Sequence, residues 1–248
     1  MLLNLLHLPS VFVLLGSVFF LALSEKFLKS SFNAISENII YAGAIFTLVG
    51  AIRATVAVAE PMELGPAISV SMLCFVYAVV IKTMINSDSS EYSETSDNYL
   101  LRVISAIGFM GLVIFSMSRV GPIELFFNGP LVFVIIVLLI VLYCVGRMSK
   151  KDEFVFLYKR LSLLGFFVVF LSIILALKNF QDPKEVGLAI GFGLFGLLYV
   201  LLIKMVTRIL MPHIVLKVGE RSKSDVLTFV IPFLFAISTI FLILFSMV

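Results

Sequence analysis

A chain of 248 residues that is 61% hydrophobic and 13% charged lies outside the soluble range, where roughly half of residues are apolar and about a quarter charged. Its mean hydropathy of +1.18 leaves too little polar sequence for a soluble catalytic domain. A dispersed net charge of +3 gives no footprint for nucleic acid.

Eight apolar runs follow one another, near 5–24, 38–59, 64–86, 101–119, 130–147, 161–180, 185–208 and 226–247. Each has the roughly 20 residues that a helix needs to cross a bilayer. The first run, with LPSVFVLLGSVFFLAL at its centre, carries no charge and is followed directly by Glu25 and Lys26. Lacking a basic leader and a small-residue cleavage site, it is expected to be a retained helix. The second, IYAGAIFTLVGAIRATVAVAEP, is rich in small residues and holds Arg53. A cation at that depth costs several kcal/mol unless it reaches an interface or a partner. Snorkelling outward, towards Glu60, is the plainer reading of Arg53; a counter-ion for a partner's carboxylate is the functional one.

A short corner joins runs two and three into a tight hairpin. Pro61 opens the third helix, where its missing N–H does no harm, and Glu63 sits near the helix's positive end. Small residues then recur at Gly65 and Ser69 and at Ala67 and Ser71, seams that let transmembrane helices approach closely. The loop 86–98 is polar and acidic, and 204–225 is basic, with Lys217, Arg221 and Lys223 suited to anionic headgroups. Cys74 and Cys144 both fall inside spans, where reduced thiols are expected rather than a disulfide or a metal site.

The text of Pro61–Lys82 returns at Pro183–Lys204, 122 positions later and without a gap. Pro61/Pro183, Glu63/Glu185, Gly65/Gly187, Ala67/Ala189, Ile68/Ile190, Tyr77/Tyr199, Ile81/Ile203 and Lys82/Lys204 are identical pairs. Apolar composition alone would not align Pro, Glu, Gly, Tyr and Lys in one register, so the chain reads as an internal duplication. The offset carries run one onto run five and run four onto run eight. An all-α polytopic membrane protein is therefore expected, with eight transmembrane helices as two parallel four-helix repeats, residues 1–122 and 123–248. An even number of spans per unit makes the repeat parallel, unlike the inverted repeats of many alternating-access carriers.

Connections 25–37, 82–102, 147–160 and 204–225 share one side and hold 14 of the 18 Lys and Arg residues. By the positive-inside rule that side is cytoplasmic, which puts both termini outside.

The stretch GAIFTLVGAIRATVAVAEPMELGPAISVSMLCFVYAVVI resembles the signature hairpin of the MotA/TolQ/ExbB proton-channel family. Thr47 and Gly50 match its Thr-x-x-Gly pair; Pro61, Gly65, Pro66 and Ala67 match its external corner, and Tyr77 its end. The helix LPSVFVLLGSVFFLAL is similar to the one that precedes that hairpin, and NFQDPKEVGLAI repeats the corner at 179–190. The second unit has Val169 and Ser172 where Thr-x-x-Gly would stand, and Cys74–Phe75 and Gly196–Leu197 replace the family's channel threonines.

The resemblance implies an A-type subunit of a ring-like homo-oligomer, coupling proton or sodium flow to mechanical work in the envelope. A single-span B-type partner (MotB/TolR/ExbD-like) would supply the acidic residue. Loops of about 20 residues or fewer leave no rotor-gripping domain. Thr47, Gly50, Arg53, Cys74, Tyr77, Gly196 and Tyr199 are then the expected ion-pathway or partner-facing residues. Glu60, Pro61, Glu63, Gly65, Asp182, Pro183, Glu185 and Gly187 form the external corners. Ala67, Ser69, Ser71, Ala189, Gly191 and Gly193 are the helix-packing set.

An oligomeric, non-conducting scaffold of the same fold is the alternative; a small-solute transporter fits the parallel repeat less well. No nucleophile–base pair, ligand cluster or phosphate loop points to an enzyme, a cofactor or a metal. No carboxylate falls at mid-membrane, and His7 and His213 stand at span ends.

Overall fold

The structure, a computed structural model, describes residues 8–26, 29–56, 61–85, 98–148, 152–178 and 182–214, less the side chains of 29–34, 37, 54, 56, 61–71, 125, 183 and 184. Within these residues the chain is helical throughout: α1 (Leu8–Ser24), α2 (Lys29–Val56), α3 (Pro61–Met84), α4 (Tyr99–Val120), α5 (Gly129–Met148), α6 (Glu153–Lys178) and α7 (Pro183–Leu210), with a 3-10 turn at Ile123–Phe126. The expected eighth span, the loop 86–97 and Glu60 lie outside the described residues.

Among the described residues four helices, α4 to α7, are long and apolar enough to cross a membrane. The apolar stretches of the first three are shorter: Leu8–Ser24, Asn38–Arg53 and Met72–Met84. The protein is thus a helical membrane protein. α2 begins nine residues before its apolar run (Lys29 rather than 38), because KSSFNAISE holds no Gly or Pro to stop it. Likewise α6 starts at Glu153, leaving only a tight link after α5.

Prolines open both hairpins' second helices, and the bounds keep the sequence offset. α3 starts at Pro61 and α7 at Pro183, while α2 ends at Val56 and α6 at Lys178, each pair 122 apart. One glycine contact in each hairpin corresponds as well. A Cβ on Gly43 would collide with Ala78 of α3, and one on Gly165 would touch Val200 of α7; both residues of the second pair stand 122 after those of the first.

α2 pairs with α3 and α6 with α7, and α2 packs its opposite side on α7. The helices therefore run in a row α3–α2–α7–α6–α5, with α1 and α4 laid over α2. α7 is central: 67% of its apolar window is buried inside the chain, against 17% for α5. α7 presents two faces. Leu194, Leu198, Leu202 and Met205 join the core around α2, whereas Phe192, Tyr199 and Ile203 pack with Tyr158, Leu161 and Leu164 of α6. Lipid is as apolar as leucine, so close packing and interhelical hydrogen bonds, not hydrophobic burial, hold such helices together.

Candidate functional site

The polar chemistry of the bundle gathers at the C-terminal end of α7, where it meets α2 and α6. Lys204 and Arg208, one turn apart, are both buried. Arg208 donates from Nε to Oδ1 of Asn38 on α2 at 2.6 Å, and from a terminal nitrogen to the Tyr158 hydroxyl on α6 at 3.1 Å. Its guanidinium also lies 4.5 Å from the centre of the Tyr41 ring, and the Lys204 ammonium lies 5.1 Å from that of Tyr158. A desolvated cation over an aromatic face gains about 2 kcal/mol or more. Three helices thus share two cations through π faces and neutral oxygens. Lys204 and Arg208 stand where the expected span 185–208 overlaps the expected basic link 204–225, and α7 carries both as helix to Leu210. Their aromatic partners come from α2 and α6, which the stretch 204–225 alone does not contain.

A second buried pair ties α1 to α4. α1 ends in a turn with Lys26 at φ 55°, and the Glu25 carboxylate lies 3.7 Å from Arg102, both side chains nearly buried. Nε and one terminal nitrogen of Arg102, and the Ser105 hydroxyl a turn on, have no hydrogen-bond partner. The sequence offered Glu25 and Arg102 only as members of two links on one side. Nothing in either link said that they meet.

The expected pathway residues are distributed differently. Thr47 is buried, and its hydroxyl bonds the Gly43 carbonyl of its own helix at 2.8 Å. Cys74 is buried in the α2–α3 contact, with its backbone oxygen beside Gly43. Gly50 is half-buried, and Tyr77 packs against the larger core. Arg53 is half-buried in the last turn of α2, where a cation complements the negative end of the helix. Gly196 faces Val168 of α6 so closely that a Cβ would collide with it.

Tyr199 does structural work: its hydroxyl donates to the Phe126 carbonyl at 2.6 Å and accepts from the Asn128 N–H at 3.1 Å. Sixteen residues after Pro183, it lies about 24 Å along α7 at 1.5 Å per residue. The link between α4 and α5 therefore reaches well down the bundle. Backbone groups freed there must be satisfied by protein, and Tyr199 does so.

At the second corner Asp182 and Glu185 are exposed at the start of α7, and Gly187 is buried. Among the packing set, Ala189, Gly191 and Gly193 are all buried. A Cβ on Gly191 would come within 3.1 Å of the Thr55 hydroxyl on α2, and one on Gly193 would collide with Ser172 on α6. Gly191 thus serves the α2 face of the helix and Gly193 the α6 face. Pro61, Glu63, Gly65, Ala67, Ser69 and Ser71 lie in α3, their side chains outside those described; Pro183 opens α7 on the same terms. No cluster of His, Cys, Asp or Glu that could hold a metal occurs among the described residues.

Compared with protein-family models, curated proteins and solved structures, the chain matches none.

Proposed function

We propose that the chain is a MotA/TolQ/ExbB-like membrane subunit that acts as a scaffold: a ring-forming homo-oligomer that seats partner helices and conducts no ions by itself. One observation carries this reading. Thr47, Cys74 and Gly196, which hold or flank the channel positions of the resembling family, are all packed inside the chain's own helix contacts. The described carboxylates support it. Glu25, Glu124, Asp152, Glu153, Asp182 and Glu185 stand at helix ends or links, so the chain offers no relay group within a described span. The reading assigns the protein no catalysis, metal or cofactor.

A second reading, the ion-driven motor, is favoured by the Thr47–Gly50 pair followed by the Pro61–Ala67 corner. In it a single-span B-type partner brings the carboxylate, and proton or sodium flow powers work in the envelope. The resemblance points to a bacterial inner membrane, and the excess of Lys and Arg on one set of links supports an orientation in it with both termini periplasmic. Labelling of substituted cysteines at Lys26 and Arg147 from the cytoplasmic side checks that orientation.

Reconstitution separates the two readings. Proteoliposomes of the purified chain carrying an internal pH dye, under an imposed potential, are expected to show no proton or sodium flux above empty vesicles. Flux from the chain alone would overturn the scaffold. Flux that appears only with a co-purified single-span protein, and vanishes when its membrane Asp becomes Asn, would move the assignment to the motor.

A further inference from the structure

The contact that joins the two halves is unlike on its two sides, and this has a consequence for the surfaces left over. α2 of the first unit packs on α7 of the second. The counterpart of α2 is α6 and that of α7 is α3, each 122 residues away. A face equivalent to each side of this contact therefore exists elsewhere on the chain, and among the described residues both are uncovered. On α2, Leu48 and Ile52 are 3% and 0% exposed; their counterparts on α6, Phe170 and Ile174, are 64% and 50% exposed. On α7, Leu194 and Leu198 are 4% and 0% exposed; their counterparts on α3, Met72 and Val76, are 37% and 52% exposed.

We infer that the outward face of α6 in one chain docks on the outward face of α3 in a second copy, reproducing the internal α2–α7 contact. The register is set by the internal template. Asn38 meets Arg208 and Thr55 meets Gly191, so seventeen residues up α2 (38 to 55) match seventeen down α7 (208 to 191). Leu48 and Leu198 lie ten residues in from the Asn38–Arg208 pair. Between chains that level becomes Phe170 against Val76, flanked by Ile174 with Met72 and Phe167 with Val79.

The polar end follows the same rule. Arg160 occupies on α6 the position of Asn38 and is exposed, and the residue 122 before Arg208 in sequence is Asn86, beyond the described residues. The Arg–Asn pair thus recurs in sequence with its partners exchanged. Lipid would accept any apolar side chain on these faces, and so does not account for their coinciding with the two halves of an internal interface. Such a head-to-tail contact adds copies until the rotation closes a ring.

The inference rests on the oligomeric part of the proposed function and is indifferent to conduction, so it and the flux result can fail separately. The test places Phe170→Cys and Val76→Cys on two differently tagged full-length chains, both Cys74→Ala and Cys144→Ala, co-expressed and oxidised in native membranes. A mixed disulfide dimer is expected, about tenfold above the Phe133→Cys/Val76→Cys pair, because the docked faces hold the two thiols at high effective concentration. One chain carrying both substitutions gives a ladder of multimers. Native mass spectrometry of the unsubstituted protein in lipid nanodiscs is expected to show more than one 27.5 kDa chain.

A single-chain mass overturns the inference, with lipid then covering both faces. A like-with-like dimer from Val76→Cys alone, or equal cross-linking of the Phe133 pair, overturns it too.

Discussion

Asn38 and Arg208, 170 positions apart, meet through a 2.6 Å hydrogen bond that fastens the first helical hairpin to the second. The bond is buried on both sides, and the guanidinium also reaches Tyr158 and Tyr41. Removing an acceptor from a buried charged donor costs about 1–3 kcal/mol. Asn38→Leu should lower the thermal midpoint of helix loss in detergent, followed by circular dichroism. Arg208→Lys keeps the charge but loses the planar fork, which an ammonium does not replace at a stacked site. It should be destabilising to a similar degree, and retention of the wild-type midpoint by both would count against the junction.

Gly193 and Gly111 make a matched pair of substitutions. A Cβ at Gly193 collides with Ser172, whereas one at Gly111 meets nothing within 4 Å. Overfilling a packed contact costs typically about 1–3 kcal/mol, so Gly193→Val should part α6 from α7 and lower the midpoint. Gly111→Ala, in the exposed middle of α4, should be neutral or stabilising by up to about 1 kcal/mol. Reversed signs would show that the α6–α7 contact is looser than described.

Tyr199→Phe removes one oxygen and orphans two backbone groups, the Phe126 carbonyl and the Asn128 N–H. The cost expected for buried groups so stranded is about 1–3 kcal/mol each. Hydrogen exchange read by mass spectrometry should rise at residues 126–128 before it rises in α7. Uniform exchange across both would mean that the hydroxyl does not pin the link.

Glu25 and Arg102 should respond unequally. Glu25→Gln leaves a buried guanidinium whose nitrogens are already short of partners, and breaking a buried pair from one side costs about 3–5 kcal/mol. Arg102→Met with Glu25→Leu replaces both charges by apolar groups, which is often neutral. The double variant should therefore melt above Glu25→Gln, and the opposite order would show that the pair stabilises the native state.

The helices were legible because their signals are local. Pro61 and Pro183 carry a helix start in their own covalent geometry, and the small residues at 189, 191 and 193 announced a packed helix before any partner was known. The polar junctions were not legible. Arg208 looks like an interfacial cation until Tyr41, Asn38 and Tyr158 are brought to it from two other helices, and hydropathy along one segment holds no trace of them. Thr47 illustrates the reverse case. Its spacing from Gly50 matches a channel motif, yet its hydroxyl is turned back onto the Gly43 carbonyl, a bond that Ser and Thr commonly make within helices.

The central place of α7 bears on how the protein is made. α2 leaves the ribosome early, but the surface it will offer to α7 stays bare while α3, α4, α5 and α6 are synthesised and inserted. During that interval Asn38 and Thr55 face acyl chains or a chaperoning membrane insertase instead of their final neighbours. Nascent chains that stop short of α7 leave a face with Leu48 and Ile52 at its middle and one polar residue near each end, Asn38 and Thr55, without the helix that covers it.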